Sequence, residues 1–410
     1  MRFATSLVHF DPAPGDPSAP AITPIYQTAT FRQPSATEAG RFDYSRSANP
    51  TREVLEAQLA RLEAGARGLA YASGMAAVDA ALSLIPAGGA VIAGRDLYGG
   101  TYRFLHTVAA TRGVYVRFAD TACGPSLEAA LGEVVAAGHA PILVWVETPS
   151  NPLMHITDLR QAARLAHRHG AWLAVDNSLM SPYLQRPLTL GADLVAHSAT
   201  KFLSGHGQVT AGALVVRERA LGKRLAAHQN AAGTALAPFD SWLVINGLKT
   251  LALRLGRQQT TARRLCALLA SRPEVRSVFY PGREQHPGAR VHAHQASGPG
   301  SVLSVRLASP ALGRALVDGT ELFGVAVSFG SVGSTLELPG RMSHAPLANT
   351  ETAHDDTLVR LSIGIEDAED LAADVTEALD AARLQHDPDP DELARIGGVH
   401  PSKPDIKDRR

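Results

Sequence analysis

Five short runs constrain this chain more than any other feature. AVIAG (90–94), PILVWVET (141–148), AWLAVDNS (171–178), DLVAHSA (193–199) and AGALVV (211–216) are apolar and rich in β-branched residues. Helical patterns such as LEAALGEVVAAG and DLRQAARLAHRHG separate several of them. A strand that is apolar along its whole length must be covered on both faces, and the intervening helices supply the crossovers that cover it. The alternation predicts an α/β domain built on a large, mostly parallel sheet. Ligands of such sheets bind beyond the carboxyl ends of the strands. ETPSNP, VDNS and HSATK all fall at such ends.

The pattern divides the rest of the chain. Residues 1–45 are rich in Pro, Thr and Ser, and the prolines of DPAPGDPSAPAITPIY exclude a helix there. AITPIYQTATFRQP is apolar and aromatic enough to pack, so this segment reads as an ordered N-terminal arm contacting a neighbouring subunit. NPTREVLEAQLARLEAG has a turn and then apolar residues at helical spacing, ending near Gly65. The α/β domain occupies 46–240. From about residue 241, SWLVINGLKTLALRLGRQQTTARRLCALLA reads as a long helix with a soft break at Gly247. The strands SVLSVRLA and LVRLSIGI follow, with helices between them, which predicts a smaller α+β C-terminal domain over 241–385. Residues 386–410 are rich in Pro and charge and read as a flexible tail.

Composition narrows the function classes. The 39 Lys+Arg residues balance 39 Asp+Glu, so no net charge favours nucleic acid or an anionic membrane as partner. No apolar run approaches the roughly 18 residues that suggest a membrane span. Cys123 and Cys266, the only two cysteines, cannot form a disulfide framework and suit a reducing compartment. The N-terminus lacks the charged-then-apolar order of a secretory signal. The expected location is the cytoplasm.

Three stretches point to chemistry. In YASGMAAVDAAL an apolar segment ends at Ser73-Gly74 and a helix pattern begins at Met75, which offers backbone N–H groups to a phosphate, or equally a simple helix cap. Asp176 ends a very apolar strand. There it caps or makes an Asx turn, or it partners a protonated ring nitrogen. Lys201 follows Ser198, Ala199 and Thr200 at the sheet edge. Alone, such a lysine is a snorkelling surface charge far more often than a desolvated Schiff-base lysine. Together, in this order, the three supply the anchor, the ring partner and the reactive amine that pyridoxal phosphate needs. The histidine pairs HRH (167–169) and HAH (292–294) lack a third ligand nearby and read as solvated histidines, so no metal site is expected.

YSRSANPT, YASGMAA, YGGTYR, ETPSNP, VDNS, HSATKF, QNAAG, SFGSVGS and LVRLSIGIED occur in that order, and over about residues 20–385 the chain resembles the Cys/Met-metabolism family of pyridoxal-phosphate enzymes, fold type I. The resemblance implies a role for each matching residue. Lys201 is the Schiff-base lysine, and Asp176 pairs with the pyridinium nitrogen. Gly74 and Met75 bind the phosphate through backbone N–H groups, and Ser198 and Thr200 through hydroxyls. Tyr98 stacks on the ring, and Asn151 lies near its phenolic oxygen. Arg360, with Ser328, receives the substrate α-carboxylate, a task that suits its bidentate fork. Tyr44 and Arg46 reach the phosphate of the neighbouring subunit, so the active unit is at least a dimer and the assembly a homotetramer of active dimers.

The same resemblance implies a carbon–sulfur lyase acting on cystathionine or a related thioether amino acid. A β-eliminating member of plant type is the closest in look; γ-lyases and γ-synthases come next. Val327 stands where many γ-enzymes carry Glu, and Gly100 where methionine-cleaving members carry Cys. Arg103 and Asn230 either meet the distal end of the substrate or are structural. Gln208, Gly333 and Thr335 depart from the family pattern and put substrate preference, rather than cofactor use, in question. A non-catalytic cofactor-binding protein is the alternative outside this class, and the complete set of Lys201, Asp176, Tyr98 and Arg360 speaks against it.

Overall fold

A computed structural model describes residues 1–347, 350 and 353–386. The tail assigned to 386–410 lies outside the described residues from 387 onward.

The apolar runs form a seven-stranded sheet: β1 Arg67–Tyr71, β2 Ala90–Gly94, β3 Tyr115–Ala119, β4 Ile142–Glu147, β5 Trp172–Asp176, β6 Leu194–Ser198 and β7 Gly212–Val216. Their spatial order is β1-β7-β6-β5-β4-β2-β3. β3, β2, β4, β5 and β6 pair in parallel, and β7 runs antiparallel to both β6 and β1. Every residue of β2, β4 and β7 is buried. The reason is a separate apolar cluster on each face. Leu55, Leu59, Val144 and Val195 belong to one, and Val78, Leu97, Leu143 and Trp145 to the other.

Packing onto the first face continues past residue 240. Val244, Ile245 and Leu248 of the helix Pro238–Lys249 belong to the same cluster as β4 and β6. The predicted long helix is indeed broken, but at Thr250 rather than Gly247: a second helix runs Leu251–Ser271. Gly247 is a close-packing residue inside the first helix. A Cβ there would lie 2.2 Å from the Ser204 carbonyl oxygen and 2.6 Å from that of Leu203. The Gly247 carbonyl accepts hydrogen bonds from Thr250 Oγ1 (3.2 Å) and Arg254 Nη2 (2.8 Å), which stabilise the break. Arg254 Nη2 also donates to Phe202 O at 2.8 Å, so this helix pair clamps the turn that follows Lys201.

The C-terminal strands β8 Val275–Phe279, β9 Val302–Leu307, β10 Gly324–Val325, β11 Thr335–Glu337 and β12 Leu358–Ser362 form a second sheet in the order β10-β11-β12-β9-β8. Its own core includes Leu303, Val305, Leu361 and Leu379. Pairing is antiparallel except between β10 and β11. The N-terminal segment begins with a short helix, Phe3–Val8, whose Leu7 is buried in the large core. Much of the remaining segment to residue 45 is exposed, though Tyr26 N–H is tied to Thr51 Oγ1 at 2.9 Å.

Of the four histidines expected to be solvated, His167 and His294 are exposed and His169 is half-buried, whereas His292 departs from the expectation. His292 is buried and its Nε2 lies 3.0 Å from Gly298 O, while His167 Nε2 lies 2.8 Å from the Asp193 carboxylate. Each contact is to a neighbour that the sequence pattern does not reveal, and His292 Nδ1 has no hydrogen-bond partner among the described residues. Among the described residues, no group of three or more His, Cys, Asp or Glu side chains is placed to hold a metal ion, and no helix is long and apolar enough to cross a membrane.

Candidate active site

A cavity of about 380 Å³ opens at the carboxyl ends of β4, β5 and β6. Gly74, Met75, Tyr98, Asn151, Asp176, Ser198, Thr200, Lys201, Ser328 and Arg360 all line it. Tyr44 and Arg46 do not. Both are exposed, and Arg46 Nη1 is bound to Asn230 O (2.7 Å) and Asn230 Oδ1 (2.8 Å). Asn230 is thus an anchor for the arm and lies off the cavity, whereas Arg103 lines it. Val327 sits on the open rim at 54% exposed. Gln208 and Gly333 are exposed and off the cavity, so these departures do not touch its wall.

The anionic end of the site lies at the start of the helix Gly74–Leu82. Ser73 caps it, its Oγ accepting from Ala76 N–H at 3.1 Å. The N–H groups of Gly74 and Met75 have no acceptor among the described residues. A Cβ at Gly74 would lie 3.0 Å from Ser198 Cβ, so glycine keeps this cradle open. Ser198 Oγ makes no hydrogen bond to a described residue. The Thr200 hydroxyl is engaged with Ala211, donating to its carbonyl (3.2 Å) and accepting from its N–H (2.9 Å). Of the two hydroxyls, Ser198 is the one free to serve an anion.

Lys201 lies one turn beyond β6. Its Nζ donates to Ser328 Oγ and sits 4.9 Å from the centre of the Phe329 ring. Burial, and then the Arg360 charge, lowers its pKa from 10.5 to about 8, against the opposing pull of Glu337 and Asp176. A depressed amine costs stability below the folded pKa, and that cost is relieved as pH rises from about 8 towards 10.5. The neutral amine is the form that reacts with a carbonyl. Uptake of pyridoxal phosphate by the cofactor-free chain is therefore expected to accelerate as pH passes about 8. Stopped-flow absorbance across pH 6–11 (roughly the span of amine titration) measures it, and an inflection near the ordinary lysine value would contradict the assignment.

Asp176 combines the two roles that its position suggests. Its Oδ1 accepts from Ser178 N–H at 3.0 Å, an Asx turn, and it also lines the cavity. Burial raises its pKa, with Ser178, His197 and Lys201 opposing the rise. Parallel register sets Asp176 directly beside Glu147, a residue that sequence reasoning did not single out. Burial and then the Asp176 charge hold the Glu147 carboxyl well above the usual range. Glu147 Oε2 accepts from Tyr98 N–H at 2.8 Å and so fixes the start of the helix Gly99–Phe104. Gly100 belongs to the same arrangement, because a Cβ there would lie 2.4 Å from Tyr98 Cε1.

Arg360 is 2% exposed on β12. It donates to Asn151 Oδ1 (3.0 Å) and to the Ser328 carbonyl (2.7 Å). Ser328 has φ +89°, a conformation that costs a non-glycine residue and is found preferentially at functional sites. It turns its carbonyl to Arg360 and its hydroxyl to Lys201. His344, also missed in the sequence, bonds through Nε2 to Asn151 O at 2.8 Å. Burial lowers its pKa to about 3, so it is neutral near pH 7.

These residues fit pyridoxal phosphate: unused N–H groups and a free hydroxyl for an anion, a desolvated, half-buried carboxylate for a ring cation, and a desolvated amine near them. Over residues 4–380 the chain matches the profile of the Cys/Met metabolism PLP-dependent enzymes, and it belongs to that family. It is 48% identical over 376 residues to the chloroplastic cystathionine beta-lyase of Arabidopsis thaliana, covering 91% of this chain and 79% of that protein. It is 40% identical to the cystathionine gamma-lyase of Bacillus subtilis over 93% of this chain and all of that protein. Among solved structures, the cystathionine gamma synthase of Xanthomonas oryzae pv. oryzae in complex with cystathionine superposes with a TM-score of 0.88 at 37% identity, covering 93% and 99% of the two chains.

Proposed function

We propose that this chain is a pyridoxal-phosphate-dependent cystathionine β-lyase, converting cystathionine and water to homocysteine, pyruvate and ammonia. The observation that carries the reading is the 48% identity to the Arabidopsis thaliana β-lyase across 91% of the chain. The complete cavity, with an uncharged Val327 at its rim, supports it.

Pyridoxal phosphate, when bound, supplies an electron sink conjugated with the substrate Cα. The chain supplies the rest. Gly74, Met75 and Ser198 would hold the phosphate, and Asp176 would keep the ring nitrogen protonated. Arg360 grips the α-carboxylate and so orients the Cα–H bond towards Lys201. The Lys201 amine takes the Cα proton, and the resulting ammonium, or the Tyr98 hydroxyl, protonates the departing sulfur. Tyr98 is 40% exposed at the mouth, where a released thiol leaves. The exposed Tyr44–Arg46 pair, which does not line its own cavity, supports an active unit of at least two copies; a homotetramer of such units, located in the cytoplasm, belongs to the same proposal.

Incubation of the holoenzyme with cystathionine, followed by identification of the keto acid and thiol, tests the reaction. Pyruvate with homocysteine is the expected pair. 2-Oxobutyrate with cysteine would assign the chain to γ-elimination instead, the activity printed for the Bacillus subtilis relative.

A further inference from the structure

Arg360 is not a free cation waiting for a substrate. Antiparallel register places Glu337 of β11 directly opposite it. Glu337 Oε1 lies 3.0 Å from Arg360 Nη2, and both side chains are sealed from water, at 1% and 2% exposed. Ser343 Oγ donates to the same carboxylate oxygen, and Glu337 Oε2 has no hydrogen-bond partner among the described residues. Glu337 is thus a carboxylate held beside the very guanidinium that must receive another carboxylate. Through Arg360 and Ser328 it is linked to Lys201, so one buried anion serves two cations of the cavity wall.

We propose that Glu337 is the built-in counter-anion of Arg360, a specificity-setting residue that orients the guanidinium and weakens ground-state binding of the amino-acid carboxylate. The proposal rests on the reading of Arg360 as the α-carboxylate site. Charges in a water-poor wall interact far more strongly than at a surface, so an arriving carboxylate feels Glu337 repulsion as well as Arg360 attraction. Tighter uniform binding of the ground state lowers KM without raising kcat. A neutralised arginine therefore loses nothing in turnover and releases carboxylate products more readily. Asn151 and the Ser328 carbonyl still hold the fork in position, so orientation does not depend on Glu337 alone.

Glu337→Gln keeps an acceptor for Arg360 Nη2 and removes only the charge. Binding of L-alanine, which has no leaving group, is followed in the holoenzyme by the change in cofactor absorbance. L-Alanine methyl ester, which lacks the carboxylate charge, is the control. The variant is expected to bind L-alanine about tenfold more tightly and the ester unchanged, a difference of about 1.4 kcal/mol. Unchanged or weaker alanine binding, or equal tightening of acid and ester, would overturn the proposal. If the glutamine variant does not fold, Glu337→Met, similar in length and neutral, is expected to move the two ligands in the same way. Arg360→Ala separates the two readings: alanine binding no weaker than in the parent would refute the Arg360 site itself, and the proposal with it.

Discussion

Lys201→Ala is expected to lower kcat by about three orders of magnitude or more, with loss of the visible absorbance that the cofactor acquires on the parent chain. Two functions disappear together. In the proposed function the amine is both the covalent anchor of the cofactor and the base that takes the Cα proton. Among the described residues no other lysine lines the cavity, so none of them can substitute. The remaining wall stays intact, because Ser328 and Phe329 lose a partner but Arg360 retains Asn151, Ser328 O and Glu337. Folding should survive, and circular dichroism together with steady-state turnover of cystathionine separates the effects. A folded Lys201→Ala protein that turned over normally would rule out the assignment of this lysine.

Asp176→Asn is expected to act in opposite directions on stability and on function. In the cofactor-free chain Asp176 is a half-buried, desolvated carboxyl beside the buried carboxyl of Glu147. A carboxyl whose folded pKa is raised costs stability above that pKa, and the cost is relieved as pH falls from it towards the ordinary value of 3.8. Asparagine retains the Oδ1 acceptor for Ser178 N–H and removes the charge. The cofactor-free variant should therefore melt about 2–4 °C higher than the parent near pH 7, and the gain should shrink in acid, where the parent is protonated. The holoenzyme should suffer the reverse. A protonated ring nitrogen loses its counter-ion, worth about 3–5 kcal/mol when one partner of a buried pair is deleted, so cofactor affinity and turnover fall by about two to four orders of magnitude. Calorimetry of the cofactor-free protein and titration with pyridoxal phosphate read the two arms. A variant that binds the cofactor as tightly as the parent would dissociate Asp176 from the ring.

The desolvation cost of Asp176 has its counterpart in the cation it would meet. An unpaired carboxylate at the end of an apolar strand is a cost that the empty fold carries and a bound cation removes. The same logic holds for Lys201, whose depressed pKa records the cost of burying an ammonium. Both groups are strained in the cofactor-free chain in the direction that cofactor binding relieves. By contrast Glu337 and Arg360 relieve one another whether or not a ligand is present, which is why that pair tunes affinity rather than creating it.

What the amino-acid order determined by itself is the α/β architecture and the residues at its strand ends. Fully apolar runs separated by helices admit few arrangements, and Gly74, Asp176 and Lys201 each sit where a run stops. The arginine and serine of the carboxylate site were reachable only through family resemblance, since nothing in LVRLS or SFGS alone distinguishes them from structural residues. Tertiary structure decided the partners. Glu147 becomes part of the site because parallel register sets β4 beside β5, and Glu337 because antiparallel register sets β11 beside β12. It also decided that Asn230 anchors Arg46 and that Gln208 lies away from the cavity. The physical reason is common to all of these. Spacing along the chain predicts which residues share a face of one strand or helix, but electrostatic and hydrogen-bonded pairing depends on strand register and on the packing of distant segments, which local periodicity does not encode.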